Sequence, residues 1–207
     1  MAGYLTTEEE LDRIIPIHRP QPGQPDKQLD FVDPHARAFI GLAPLVMVAT
    51  ASAEGRIDVS PRGDPPGFVQ VLDDHRLAIP DRKGNHRVDS MRNLLSNPRI
   101  GTLFLIPGRE DTLRVNGRAR LTTEAAVLER CAVRGRTPQL AIELEVEELY
   151  FHCARSLLRG SAWQPEKWPD ASGLASLGCA IKDQMQLSHI TGEEIDADLE
   201  LVNRDLY

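Results

Sequence analysis

Ile79–Pro98, IPDRKGNHRVDSMRNLLSNP, joins the end of an apolar strand, a cationic loop and the start of a helix. The strand closes at Pro80. The loop carries Arg82, Lys83, Gly84, Asn85, His86 and Arg87, and Asp89 and Ser90 open a short helix. Free backbone N–H groups and the positive end of the helix dipole point the same way at such a start, which suits an anion. In a chain of net charge −7, this concentration of donors points to one specific phosphate rather than to general attraction for polyanions. Arg82, Asn85, Arg87 and Ser90 are the candidate ligands, because a guanidinium fork matches two phosphate oxygens at once. The alternative is a solvated loop whose arginines pair with Asp81 and Asp89, with Asp89 repelling an anion at the same helix end.

The segments around this loop alternate as strands do. Leu45–Ala51 is a short continuous apolar run, Ser52–Gly55 a turn, and Ile57–Ser60 the return strand. Arg62–Gly67 holds glycines and prolines and is predicted as a loop. Phe68–Leu72 and Arg76–Pro80 flank Asp73-Asp74 as a hairpin, and Ile100–Ile106 is closed by Pro107-Gly108. Leu113, Val115, Gly117, Ala119 and Leu121 share one strand face, opposite Arg114, Asn116, Arg118 and Arg120. Leu140–Val146 alternates likewise, with Glu143 and Glu145 on its polar side. Short strands linked by hairpins, with helices at the edges, predict a mainly β, α+β fold: an antiparallel barrel with added helices.

Helices are predicted at both ends. Thr6/Glu9 or Thr7/Glu10 forms a capping box, and Asp33-Pro34 starts a second helix. Pro16–Pro25 is expected as an extended arm. Glu124–Val133 is helical, as are Phe151–Gly160 and Gly173–Gln186, and Thr191/Glu194 caps a last helix with an apolar stripe at Ile195, Leu199, Val202 and Leu206. The expected organisation is one domain over 1–207. It comprises an arm and helices over 1–44, a barrel over 45–149, and a helical extension over 150–207 that packs on the barrel or on a second subunit.

Composition narrows the function classes. A pI of about 5.4 and 5% aromatic residues argue against a nucleic-acid partner. No apolar run is long enough for a bilayer, so no membrane partner is expected. The acidic start and the unpaired cysteines Cys131, Cys153 and Cys179 suit a reducing cytoplasm. Cys153 is expected to be a buried small hydrophobe. The six histidines show neither HExxH nor Cys/His ligand spacing, so no metal site is predicted.

Two further stretches could join the loop. Ser60-Pro61-Arg62-Gly63-Asp64 follows a strand, and Arg62 reaches the same anion if the strands are neighbours; otherwise it is a surface arginine in a turn. Thr112, Arg114 and Asn116 share a strand face that either lines a ligand groove or meets water.

The order VSPRG, a hairpin, IPDRKGNHRVDSMRNLLSNP, GTLFLIPG and DTLRVNGRARL resembles the pyridoxamine 5′-phosphate oxidase-like flavoproteins, in particular a bacterial FMN-dependent branch, over about Asp30 to Trp168. The resemblance implies a six-stranded split β-barrel of the FMN-binding type, with helical N- and C-terminal extensions here. It implies a homodimer with FMN at the interface, ligated from both subunits. Arg62 then matches the first FMN arginine, and Arg82, Asn85, Arg87 and Ser90 the phosphate loop. Pro80 and Asp81 match the flavin ring edge, and Thr112 and Arg114 the strand touching the ring or ribityl chain. Trp163 is a candidate cover for the ring or substrate, or else an apolar anchor for the last helices. The Ser-x-Lys motif and later glutamine of the oxidase proper are replaced by the GNHR loop and Thr112, and its C-terminal Trp and Arg substrate signature has no clear counterpart. The implied activity is flavin-mediated redox on a small molecule. The alternatives are a non-catalytic flavin store, or a split barrel binding haem or a deazaflavin.

Overall fold

The computed structural model describes residues 3–15, 27–84 and 87–205. In chain order the helices are α1 (Glu8–Ile14), α2 (Pro34–Leu42), α3 (Asp89–Ser96), α4 (Ala125–Arg130), α5 (Arg155–Arg159), α6 (Leu177–Gln184) and α7 (Gly192–Asn203). The strands are β1 (Leu45–Ala51), β2 (Ile57–Gly63), β3 (Gln70–Val71), β4 (Arg76–Pro80), β5 (Arg99–Leu105), β6 (Thr112–Thr122) and β7 (Ala141–His152). They form one antiparallel sheet in the order β2-β1-β5-β6-β7-β4-β3, with β2 and β3 as its two edges. The fold is α+β, a split barrel rather than a closed one. The expected count of six strands becomes seven among the described residues, because Gln70–Val71 pairs with Leu77–Ala78 as a short edge strand.

Local chemistry accounts for most elements. Thr7 and Glu10 close a capping box on α1, Thr191 and Glu194 one on α7, and Asp33 accepts from the Ala36 N–H to cap α2. In β1, Val46, Val48 and Thr50 are buried while Leu45, Met47, Ala49 and Ala51 are only partly covered. The inner face joins Val46, Val48, Phe104, Leu113, Val115 and Leu144, each fully buried, with Ile40 of α2 over one end. A buried Leu or Phe contributes roughly 1.5–3 kcal/mol relative to exposure, so this cluster holds the sheet curved.

Three departures from the expected elements have physical causes. First, β2 runs through Pro61, Arg62 and Gly63 instead of ending at Ser60. Proline lacks an N–H and is tolerated here because β2 is an edge. Second, β7 runs past Val146 to His152, so Phe151 and His152 are strand and the helix that follows is only Arg155–Arg159. A bulge between Asn116 and Gly117 carries the pairing through: Asn116 faces Glu148 and Gly117 faces Val146, skipping Glu147. A Cβ on Gly117 would lie 1.9 Å from the Glu145 carbonyl oxygen, so only glycine fits that approach. Third, α4 is shorter than Glu124–Val133, and Glu143 is buried, accepting from Arg120 at 2.8 Å and Arg76 at 3.2 Å.

At the C-terminal end α6 and α7 pack on each other, with the Gly178 N–H donating to Asp196 at 2.7 Å. Cys131 is buried, whereas Cys153 is exposed, contrary to expectation. No helix among the described residues is long and apolar enough to cross a membrane. The Pro16–Pro25 arm lies outside the described residues.

Candidate functional site

α3 packs across β1, β2 and β6 and brings its first turn beside the β2 edge. The register sets Asp58, Ser60 and Arg62 opposite Thr50, Val48 and Val46, so these polar side chains share the buried side of β1 and face α3. They converge on Ser90, which is 2% exposed. The Ser90 hydroxyl donates to Asp58 at 2.7 Å. Having one proton, it must then accept from Ser60 at 3.1 Å, and it also accepts from the Arg62 guanidinium at 3.2 Å. Ser90 thus braces Arg62, and its own hydroxyl proton is directed to Asp58.

Two adjoining cavities of about 430 and 390 Å³ open here. Both are lined by Arg62, Arg82, Lys83, Gly84, Arg87 and Val88. Asp81, Met91 and Arg136 extend the first, and Phe68, Pro80 and Ser90 the second. Val88, before α3, has φ 51° and makes no side-chain cap.

The loop cations are partly matched from within the chain. Arg82 donates to Asp64 at 2.5 Å and to the Cys131 carbonyl at 2.8 Å, with Asp64 almost wholly buried. Its carboxylate partner is Asp64, not the neighbouring Asp81. Arg87 donates to Asp89 at 2.9 Å, and that hydrogen bond raises its pKa above the ordinary value. Pro80 has no N–H, and the Asp81 N–H donates to Leu140 O at 2.9 Å, so the donors at that corner are already placed. Asn85 lies outside the described residues. Burial pushes the Cys131 thiol up, which keeps it protonated and unreactive beside the site.

Thr112, Arg114 and Trp163 lie elsewhere. Arg114 and Asn116 sit on the opposite, outer face of the sheet, in register with Tyr150 and Glu148. Arg114 donates to the Tyr150 hydroxyl at 2.9 Å, and Asn116 to Glu148 at 2.7 Å. Thr112 is buried opposite His152. Burial, and then the Arg114 charge, lower the His152 pKa; its Nε2 is shut from solvent with no hydrogen-bond partner. Trp163 Nε1 donates to the Arg109 carbonyl at 2.6 Å, which anchors the C-terminal segment. None of these three candidates lines the cation-rich cavities. Beside them the outer face is apolar: Met47, Ala49 and Leu103 are half-covered, and Ile57 and Val59 on the β2 edge are 78% and 63% exposed.

Sequence reasoning missed Asp64, Lys83 and Arg136 as members of this site. Lys83 stands inside the cationic loop. Arg136 carried the weaker signal of an arginine in a Gly-Arg-Thr-Pro turn ahead of a strand.

The sequence profile of pyridoxamine 5′-phosphate oxidase matches residues 32–153, which hold the whole sheet and the cation-lined loop. The chain belongs to the pyridoxamine 5′-phosphate oxidase family. Solved structures related in fold include HupZ of Group A Streptococcus, at 21% identity and a TM-score of 0.48, over 58% of this chain and 99% of that one. HutZ, described as the heme storage protein of Vibrio cholerae, shares 14% identity over 58% of this chain and 93% of its own, with a TM-score of 0.41. An FMN-binding protein of Syntrophomonas wolfei shares 11% identity over 57% and 84%, with a TM-score of 0.43. No curated protein matches the sequence. Among the described residues no group of His, Cys, Asp and Glu is arranged to hold a metal ion.

Proposed function

We propose that this member of the family is an FMN-binding oxidoreductase that acts on a small molecule as a homodimer, each flavin lying between the two copies. The observation that carries the reading is an arginine, Arg62, held by the buried Ser90 beside the first turn of α3, whose N-cap Val88 makes no side-chain cap, on the wall of a cavity. That donor set suits a phosphate monoester: a planar fork from one side and backbone N–H groups from the other.

On this reading Arg62 and Arg87 hold the phosphate, and Asn85 belongs to the same loop. Arg82 adds charge while its bonds to Asp64 and Cys131 fix the loop's path. Ser90 acts as a positioning residue for Arg62. Pro80 and Asp81 border the ring. Bound FMN would supply the electron or hydride chemistry. The protein's part is then to bind, orient and screen, and no side chain is assigned as acid, base or nucleophile.

The opposite placement of Arg114 and Arg62 on the sheet supports a second copy in this reading. An exposed apolar patch with polar flanks is the usual mark of an interaction surface. A second copy docked along the exposed β2 edge would cover Ile57 and Val59, and Thr112, Arg114 and Trp163 are the residues this reading assigns to the flavin from that copy.

Purified full-length protein is expected to carry FMN or take it up, giving a flavin absorption spectrum. A colourless protein that takes up no added FMN, or one with a haem spectrum, overturns the reading. Turnover separates an enzyme from a store: bound flavin that a nicotinamide reduces and an added acceptor reoxidises marks the enzyme. Bound flavin inert to both marks a store.

A further inference from the structure

On the first cavity's wall, two cations arrive from separate loops. Lys83 follows β4 and Arg136 precedes β7. Both meet one carboxylate, Asp205, just beyond the end of α7. Lys83 Nζ stands 2.5 Å from Asp205 Oδ2, and the Arg136 guanidinium 3.9 Å from Oδ1. Asp205 is delivered by a helix that packs on α6, and Arg204 beside it is paired back to Glu200 at 3.0 Å.

The three side chains are 49%, 65% and 60% exposed, so water and salt weaken the contact. An exchangeable carboxylate between two cavity-lining cations meets the same demand as a phosphate or carboxylate on a ligand. We propose that Lys83 and Arg136 form an anion subsite on the wall of the first cavity, and that Asp205 is its internal occupant, competing with the anionic group of an entering ligand. The inference rests on the reading of this cavity as an anion site and does not require the ligand to be FMN. The competing group is a phosphate or carboxylate, carried either by the cofactor or by a small-molecule substrate.

The test is calorimetric titration of the full-length protein and its Asp205→Asn variant with FMN and, separately, with pyrophosphate, at low and moderate salt. The variant is expected to bind more tightly, by about threefold to tenfold, with the gain shrinking as salt rises. The gain is expected to disappear in the Lys83→Gln/Asp205→Asn double variant. A gain for FMN assigns the subsite to the cofactor's phosphate; a gain for pyrophosphate alone assigns it to a second anion. Unchanged or weaker binding of both probes overturns the proposal, as does a gain that persists without Lys83. A variant that gains for pyrophosphate while neither protein binds FMN upholds the subsite and removes the FMN reading.

Discussion

The two faces of the β2-β1-β5-β6 sheet handle polar side chains in opposite ways. On the inner side of the β2 edge, Asp58, Ser60 and Arg62 are tied through Ser90 to a helix start, and the charges surround a cavity. On the outer side, Arg114 and Asn116 bond across to Tyr150 and Glu148, beside an apolar strip that ends in the exposed Ile57 and Val59. The first region has a cavity lined by Arg62, Arg82, Lys83 and Arg87. The second presents exposed apolar side chains at the β2 edge, Ile57 and Val59. Residues that the resemblance assigns to one flavin are therefore divided: Arg62 lines the cavities, and Thr112, Arg114 and Trp163 of the same copy do not.

Breaking the first region from beneath has the largest expected effect. Asp64→Ala leaves the largely buried Arg82 without its carboxylate, and removing one partner of a buried pair costs about 3–5 kcal/mol. Chemical denaturation should show that loss. Arg62→Ala should leave stability nearly intact and weaken FMN binding by about ten- to a hundredfold, the range for a hydrogen bond to a charged group. Arg87→Ala should cost less, since Arg87 is 75% exposed and already paired with Asp89.

The second region is sharpened by Val59→Asp. A carboxylate placed on the exposed β2 edge should raise the dimer dissociation constant by at least about tenfold in sedimentation, without unfolding the chain. The smallest effect expected is on pH dependence. His152 has its pKa lowered in the fold by burial and by Arg114, so the fold favours the neutral ring. Its contribution to stability is present above the ordinary value of 6.5 and is lost as pH falls through the lowered pKa. Unfolding free energies measured across that acidic window should flatten in His152→Gln.

What was legible in the sequence was local. The bounds of β1, the alternation of β6 and the caps of α1, α2 and α7 follow from neighbours within a few residues. The cationic loop and its helix start were legible for the same reason. What was not legible depends on partners far along the chain. Arg82 bonds to Asp64 and not to the adjacent Asp81 because the β2 end lies beside the β4 loop. Glu143 is buried because Arg76 and Arg120 come from two other strands. β7 continues past Val146 because a bulge opposite Gly117 resets its register, and no periodicity within β7 announces that. The separation of Arg62 from Arg114 by the sheet itself is a property of strand order, which alternation alone does not specify.

The most direct test of the phosphate cavity is a paired titration of the full-length protein with FMN and with riboflavin, which lacks the phosphate. FMN is expected to bind at least about tenfold more tightly, and Arg62→Ala to remove most of that difference. Equal affinity for the two flavins, or no binding of FMN, would contradict that expectation.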